Sequence, residues 1–178
     1  MTEKKETPKK KATTKKAAPK KRVVVDRNTE VVFMNNTSGK FFYQCPKTHS
    51  VYKMTEYGDT DYITVDELLT MRNSSRKILN DLWILLIDVH SDEVSVEDVW
   101  KYLGVDGLYK DVINPEDIDG FIIKSTDVKF KDCLSKMGEA LAIKVIERSV
   151  VLARTEQLNS TTKLNIIKNF TGNEDLFD

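Results

Sequence analysis

Short runs of apolar and β-branched residues, separated by turn-forming residues, follow one another from residue 23 to residue 65. The runs are VVV at 23–25, VVFMN at 31–35, FFYQC at 41–45, VYKMT at 51–55 and DYITV at 61–65. Turn formers stand between them at 36–39, 46–50 and 58–59. This pattern predicts three or four antiparallel strands, with a hairpin closed at Ser38-Gly39.

A helix start follows the last of these runs. Thr64 and Glu67 form a capping box at its first turn, which predicts a short helix over DELLTMR that ends near 73–75. The segment from Ser75 to His90 begins like a helix and then runs into WILLIDV. A nearly continuous apolar run suits either a central strand or a buried helix, and we favour a strand over 83–89.

Helical signals dominate the rest of the chain. Ser95, with Asp98 three residues on and Gly104 as a stop, predicts a short amphipathic helix. Its buried side chains would be Val99, Trp100 and Leu103. Another helix should begin with Asn114 as its cap and Pro115 at its first position.

Two further helices are predicted beyond that point. Between 126 and 157, apolar residues recur at steps of three and four, which favours one long central helix. Its apolar positions are Phe130, Leu134, Met137, Leu141, Val145 and Leu152, flanked by Ala140, Ala142, Ile146 and Val150. A last helix over 161–170 should stop at Gly172.

Together these patterns predict an α+β fold. A small antiparallel β-rich part at 23–105 packs with a mainly helical part at 106–172, and an acidic tail follows at 173–178. The 156 residues after position 22 are enough to bury a core without metals or disulfides.

Charge separates the first 22 residues from the rest. They carry ten Lys or Arg against two Glu, whereas residues 23–178 carry 18 basic and 26 acidic side chains. The net charge of zero therefore conceals +8 on an arm and −8 on a body. This separation predicts a polyanionic partner for the arm and a different partner for the body.

The arm at 1–22 should be disordered in isolation, because it has too few apolar residues to offset its ordering entropy. Its (T/A)PKK pattern resembles the lysine-rich tails of linker histones and histone-like bacterial proteins, which implies phosphate neutralisation rather than base reading. The candidate nucleic-acid contacts are Lys9, Lys10, Lys11, Lys15, Lys16, Lys20, Lys21 and Arg22. The alternative is a solubilising or flexible tether.

Cysteine content and hydropathy narrow the expected location. Cys45 and Cys133 are too few for a disulfide framework, and no apolar leader follows Met1, which fits a reducing intracellular compartment. The longest apolar stretch, LWILLI at 82–87, is far short of the ~20 residues that span a bilayer. No membrane partner is predicted.

Motifs for catalysis or cofactor binding are weak. Thr37-Ser38-Gly39-Lys40 lacks a P-loop's first glycine and following hydroxyl. Cys45 and His49 have a spacing that zinc sites sometimes use, but the other candidate ligands, His90 and Cys133, are distant in sequence. No serine elbow accompanies the two histidines. We therefore predict a protein without enzymatic activity, cofactor or metal.

Aromatic residues cluster in the β-rich part. They are Phe41, Phe42, Tyr43, Tyr52, Tyr57 and Tyr62. Such residues can stack on nucleic-acid bases, but they also form the core of a small sheet. Few basic residues lie among them, which favours the core.

The acidic tail is a candidate protein-binding segment. Asp175, Leu176 and Phe177 resemble the last three residues of the short peptides by which replication and transcription proteins bind bacterial and phage sliding clamps. The leading Gln-Leu of those peptides is replaced here by Asn173-Glu174. Alternatively, Leu176 and Phe177 fold back on the body.

The lysine-rich leader, the segment YGDTDYITVDELLTM at 57–71 and the long helix before an acidic end resemble accessory or virion proteins of large tailed phages of low-GC bacteria. The resemblance implies a virion or assembly role, in the virion or the host cytoplasm, with other virion or assembly proteins, a second copy of the chain or DNA as partners. The alternative is a transcription or replication accessory protein that recruits a polymerase or sliding clamp.

Overall fold

The computed structural model describes residues 24–109 and 115–177. The basic arm predicted at 1–22 and the helix cap predicted at Asn114 lie outside these residues.

The described residues form an α+β fold, as predicted. The strands are β1 (Glu30–Asn35), β2 (Phe41–Gln44), β3 (Val51–Met54), β4 (Thr60–Thr64) and β5 (Ile84–Val89). The helices are α1 (Val65–Ser74), α2 (Lys77–Asn80), α3 (Val96–Leu103), α4 (Asp106–Tyr109), α5 (Pro115–Lys124), α6 (Asp127–Lys136), α7 (Glu139–Arg154) and α8 (Thr161–Thr171). Four of the five predicted strand runs before residue 66 are strands; Val24 and Val25 of the first run lie outside any strand, although Val25 is buried.

The strands form two separate antiparallel sheets. One has the order β4-β1-β5, and the other is the β2-β3 hairpin. The hairpin predicted at Ser38-Gly39, which would have paired β1 with β2, is therefore wrong. Both edges of β1 are already paired, with Val31 opposite Ile63 on one side and Val89 on the other, so β1 has no free edge for β2.

The predicted helix starts are confirmed where they depend on local capping. The Thr64 side chain accepts from the backbone N–H of Glu67, and Ser95 does the same with Asp98. α3 ends at Gly104, whose φ of 70° is a left-handed conformation that glycine adopts easily. Trp100 of this helix is only partly buried, unlike the prediction.

The single helix predicted over 126–157 is wrong, because the chain breaks it into α6 and α7. Met137 and Gly138 are extended between the two helices, with ψ values of 149° and 151°. Glycine at this point weakens a continuous helix and serves as the N-cap of α7. The break also allows Met137 to pack against both hydrophobic clusters.

The core has two clusters. The first contains buried residues from Val25 to Tyr109 together with Leu141 of α7, and the second contains buried residues from Ile118 to Ile167. α7 thus contributes to both clusters. No helix in the described part of the chain is long and apolar enough to cross a bilayer.

Candidate interaction groove

A groove lies where the β-rich and helical parts meet. Two cavities, of about 650 and about 440 Å³, both have Trp83, Lys144 and Glu147 in their walls. The loop and strand start at 37–42 line one side, and α7 residues 139–147 line the other. We call this surface the Trp83 groove.

Trp83 is held in the groove by its backbone. Its N–H donates to the carbonyl of Ile78, and its carbonyl accepts from the N–H of Asn36, both at 2.9 Å. The buried Asn36 side chain also donates to the carbonyl of Leu82 at 2.8 Å. These bonds place Trp83 just before β5 and leave its side-chain surface 40% exposed.

Asn35 shapes the opposite side of the groove. Its fully buried side chain donates to the carbonyls of Gly39 and Glu56 at 2.9 and 2.8 Å. The same side chain accepts from the backbone and hydroxyl of Thr37. A buried amide that is saturated in this way holds the 37–39 loop in one conformation.

The α7 wall of the groove has both apolar and charged side chains. Ile143 is 46% exposed, whereas Lys144 is buried and its Nζ donates to Glu147 at 2.9 Å. Asp81 and Glu139 are exposed at one end of the groove, and among the described residues neither side chain has an ion pair or hydrogen bond. The groove therefore has an exposed indole, an exposed aliphatic side chain and two uncompensated carboxylates.

An ion pair at Arg148, the residue after Glu147 of the groove, fixes α7. Arg148 binds both carboxylate oxygens of Asp119 in α5 at 2.6 Å and lies 4.4 Å from the ring centre of Tyr57. The hydrogen bonds to Asp119 raise the pKa of Arg148 despite burial. Burial raises the pKa of Tyr57 to about 12, although Arg148 opposes this effect. The contact joins the β3–β4 loop to the helical part.

A second polar cluster surrounds Glu67 beneath the β2-β3 hairpin. Its carboxylate accepts from Thr48 and Tyr52, each at 2.5 Å. Burial disfavours the charged carboxylate, but the hydrogen bonds outweigh burial and lower its pKa to about 2. Cys45 is close by and fully buried; burial raises its pKa, yet hydrogen bonds from Thr48 and the Lys47 backbone lower it overall. Because the buried Glu67 carboxylate accepts hydrogen bonds from Thr48, Tyr52 and Thr64, we interpret the cluster as a structural clamp.

The candidate metal ligands do not form a cluster. In the described ranges, no three His, Cys, Asp or Glu side chains come together as a metal site.

The aromatic residues of the β-rich part divide between core and surface. Phe41, Tyr43 and Tyr52 are core residues, whereas Phe42 and Tyr62 are 60% and 52% exposed. The Phe42 ring carries Lys53 Nζ at 5.8 Å from its centre.

The two predicted interaction segments have different positions. All eight basic arm residues predicted to contact nucleic acid lie outside the described residues. In the tail, Asp175 is exposed, whereas Leu176 and Phe177 are half-buried against the second cluster. The pair folds back on the body in this structure, so a clamp-like contact would require it to leave that cluster.

No protein-family model, curated protein or solved structure matches this chain.

Sequence reasoning missed the Trp83 groove, although two signals were present. Lys144 lies between the apolar positions Leu141 and Val145 of α7, where a lysine contradicts the pattern. Trp83 directly precedes the buried strand β5 and stands two residues after the charged Asp81. Neither signal indicates that the two residues meet, because they are 61 positions apart in the sequence.

Proposed function

We propose that this protein is a non-enzymatic interaction component of a phage virion or its assembly machinery. In this proposal the acidic body docks on other proteins and the arm at 1–22 contacts DNA or another polyanionic surface. The observation that carries the proposal is the charge separation, +8 on the arm and −8 on the remaining residues. The phage assignment rests on the resemblance of the leader and of 57–71.

The body supplies the features that docking requires. The Trp83 groove combines exposed aromatic and aliphatic surface with charged groups at its rim, a composition typical of interaction surfaces. The arm supplies a different interaction. Lysines that neutralise phosphates release counterions, so such binding is sequence-independent and falls steeply as salt increases.

The test is duplex-DNA binding across a salt series with the full chain and a full-length variant. In the variant, the eight candidate residues from Lys9 to Arg22 are replaced by Gln. If each contacts a phosphate, the slope of log K against log salt should become shallower by about 7. The matched control replaces the exposed Lys124, Lys129 and Lys131 of the body by Gln and should leave the slope unchanged.

Two results would contradict the nucleic-acid part of the proposal. Equal slopes for the wild type and the arm variant would place the phosphate contacts elsewhere, and absence of binding by both at moderate salt would leave no polyanion contact. The assembly part is tested separately, by protein copy number in purified particles. A fixed number of many copies per particle is expected, and absence from particles would overturn it.

The regulator alternative draws part of its support from the Asp175–Phe177 tail. Because Leu176 and Phe177 pack against the second cluster, this structure favours the tail as part of the body. We therefore propose the assembly role alone.

A further inference from the structure

We propose that the Trp83 groove is the docking site for the lysine-rich arm of the same chain, residues 4–22. The occupant is chosen on three grounds: the charge of the groove, its aromatic surface and the length of chain that precedes residue 24. The proposal goes beyond polyanion binding by the arm and stands if that function fails.

Charge favours a cationic occupant at one end of the groove. Asp81 and Glu139 are exposed in the smaller cavity without a cationic partner among the described residues, and Glu147 is paired with Lys144. The larger cavity also has Lys40 in its lining, so the acidic excess lies at the Asp81 and Glu139 end. Ten basic side chains in the first 22 residues are available to compensate them. Opposite charges on the two surfaces would steer the arm toward this rim.

The exposed rings favour a segment that contains lysine and proline. Trp83 and Phe42 both line the larger cavity and are 40% and 60% exposed. Lys53 already lies over the Phe42 ring, so Trp83 is the ring that remains for an arm lysine. Lysine ammonium groups are attracted to the faces of aromatic rings, most strongly to that of Trp. Proline-containing segments such as those around Pro8 and Pro19 dock against grooves lined by aromatic residues.

The arm is long enough to reach the Trp83 groove. Glu30, at the start of β1, follows the last arm residue by eight positions in the sequence, whereas Asn35 at the other end of β1 pairs with Ile84, the residue after Trp83. β1 spans only ~20 Å, whereas twenty residues of extended chain cover ~60 Å. A tethered segment of this reach has an effective concentration on the order of millimolar, so a weak contact would be populated.

A second acidic surface offers charge without rings. The cavity of about 450 Å³ at 88–98 is lined by Asp88, Asp92, Glu93, Glu97 and Asp98, and its lining contains no aromatic residue. Asp98 is already hydrogen-bonded by Ser95 and Lys101. Attraction by charge alone would bring the arm to this cavity more readily than to the groove, whose lining also contains Lys40 and Lys144. Dependence of arm binding on Trp83 therefore separates the two sites.

The test is zero-length carbodiimide cross-linking of the dilute full chain, with the linked peptides identified by mass spectrometry. We expect links from arm lysines to Asp81 and Glu139, formed within one chain. In Trp83→Leu, the carboxylates remain but the ring is lost, and these links should fall several-fold. The matched control, Tyr62→Leu, removes a ring from β4 that is exposed to 52%, against 40% for Trp83, and should leave the links unchanged.

Far-UV circular dichroism and thermal melting of both variants establish that each is folded. Should Trp83→Leu unfold, Glu139→Gln supplies the second variant, because it should weaken the remaining link to Asp81. Links that persist in Trp83→Leu, that form at Asp92 and Glu93 instead, or that join only different copies would overturn the proposal. Neither result depends on DNA, so failure here is distinct from failure of the polyanion function.

Discussion

Arg148 and Asp119 form a two-pronged ion pair across the helical part, with Nε and Nη2 each 2.6 Å from a carboxylate oxygen. The guanidinium also covers the ring of Tyr57, which belongs to the β-rich part. A single side chain therefore fastens α7, a wall of the Trp83 groove, to two other elements.

Replacing Arg148 by Lys should destabilise the protein by about 1–2 kcal/mol. Lysine keeps the charge but cannot bind both carboxylate oxygens and cover the ring at once. Urea unfolding measures the loss, and a double-mutant cycle with Asp119→Asn isolates the coupling. Additive effects of the two substitutions would show that the pair contributes nothing as a pair.

The Glu67 carboxylate should make stability depend on acid pH. Its pKa is lowered from 4.5 to about 2 in the fold, so its contribution is fully present above pH 4.5 and is lost as the pH falls toward 2. Glu67→Gln should lose about 1–3 kcal/mol at neutral pH and show a flatter pH profile. Thermal melts from pH 2 to pH 7 make the comparison, with the exposed Glu93→Gln as the control. A profile for Glu67→Gln that parallels the wild type would contradict the assignment.

Glu156→Gly should stabilise the protein by about 0.5–1 kcal/mol. Glu156 follows α7 with a φ of 58°, a left-handed conformation that glycine adopts without the penalty of a Cβ atom. Chemical denaturation measures the gain. Gln157→Gly, at the next residue where φ is not positive, should instead destabilise slightly, and a gain there would contradict the explanation.

Leu176→Ala and Phe177→Ala should each cost about 1 kcal/mol, because both side chains are half-buried against the second cluster. Asp175→Ala, at an exposed position, is the control and should leave the melting temperature unchanged. If the first two substitutions also leave it unchanged, the Leu-Phe pair does not contribute to the fold and is available for docking.

The sequence by itself determined the local features of this protein. The capping boxes at Thr64 and Ser95 and the stops at Gly104 and Gly172 were predicted correctly, because each depends on contacts within about four residues. The short strands and the strand before His90 were also evident, because a run of apolar residues bounded by turn formers requires no knowledge of partners. The charge separation between arm and body likewise depends on composition alone.

The tertiary structure alone decided what these elements contact. The pairing of β1 with β4 and β5 joins residues that are 26 to 58 positions apart, so the turn formers at 38–39 predicted the wrong partner for β1. The apolar periodicity of 126–157 continues across the break between α6 and α7. Met137 still packs against the core there, although its backbone is extended and not helical. The Trp83 groove exists only because α7 packs beside the 37–42 segment, and this packing reflects the burial of two clusters rather than any local signal.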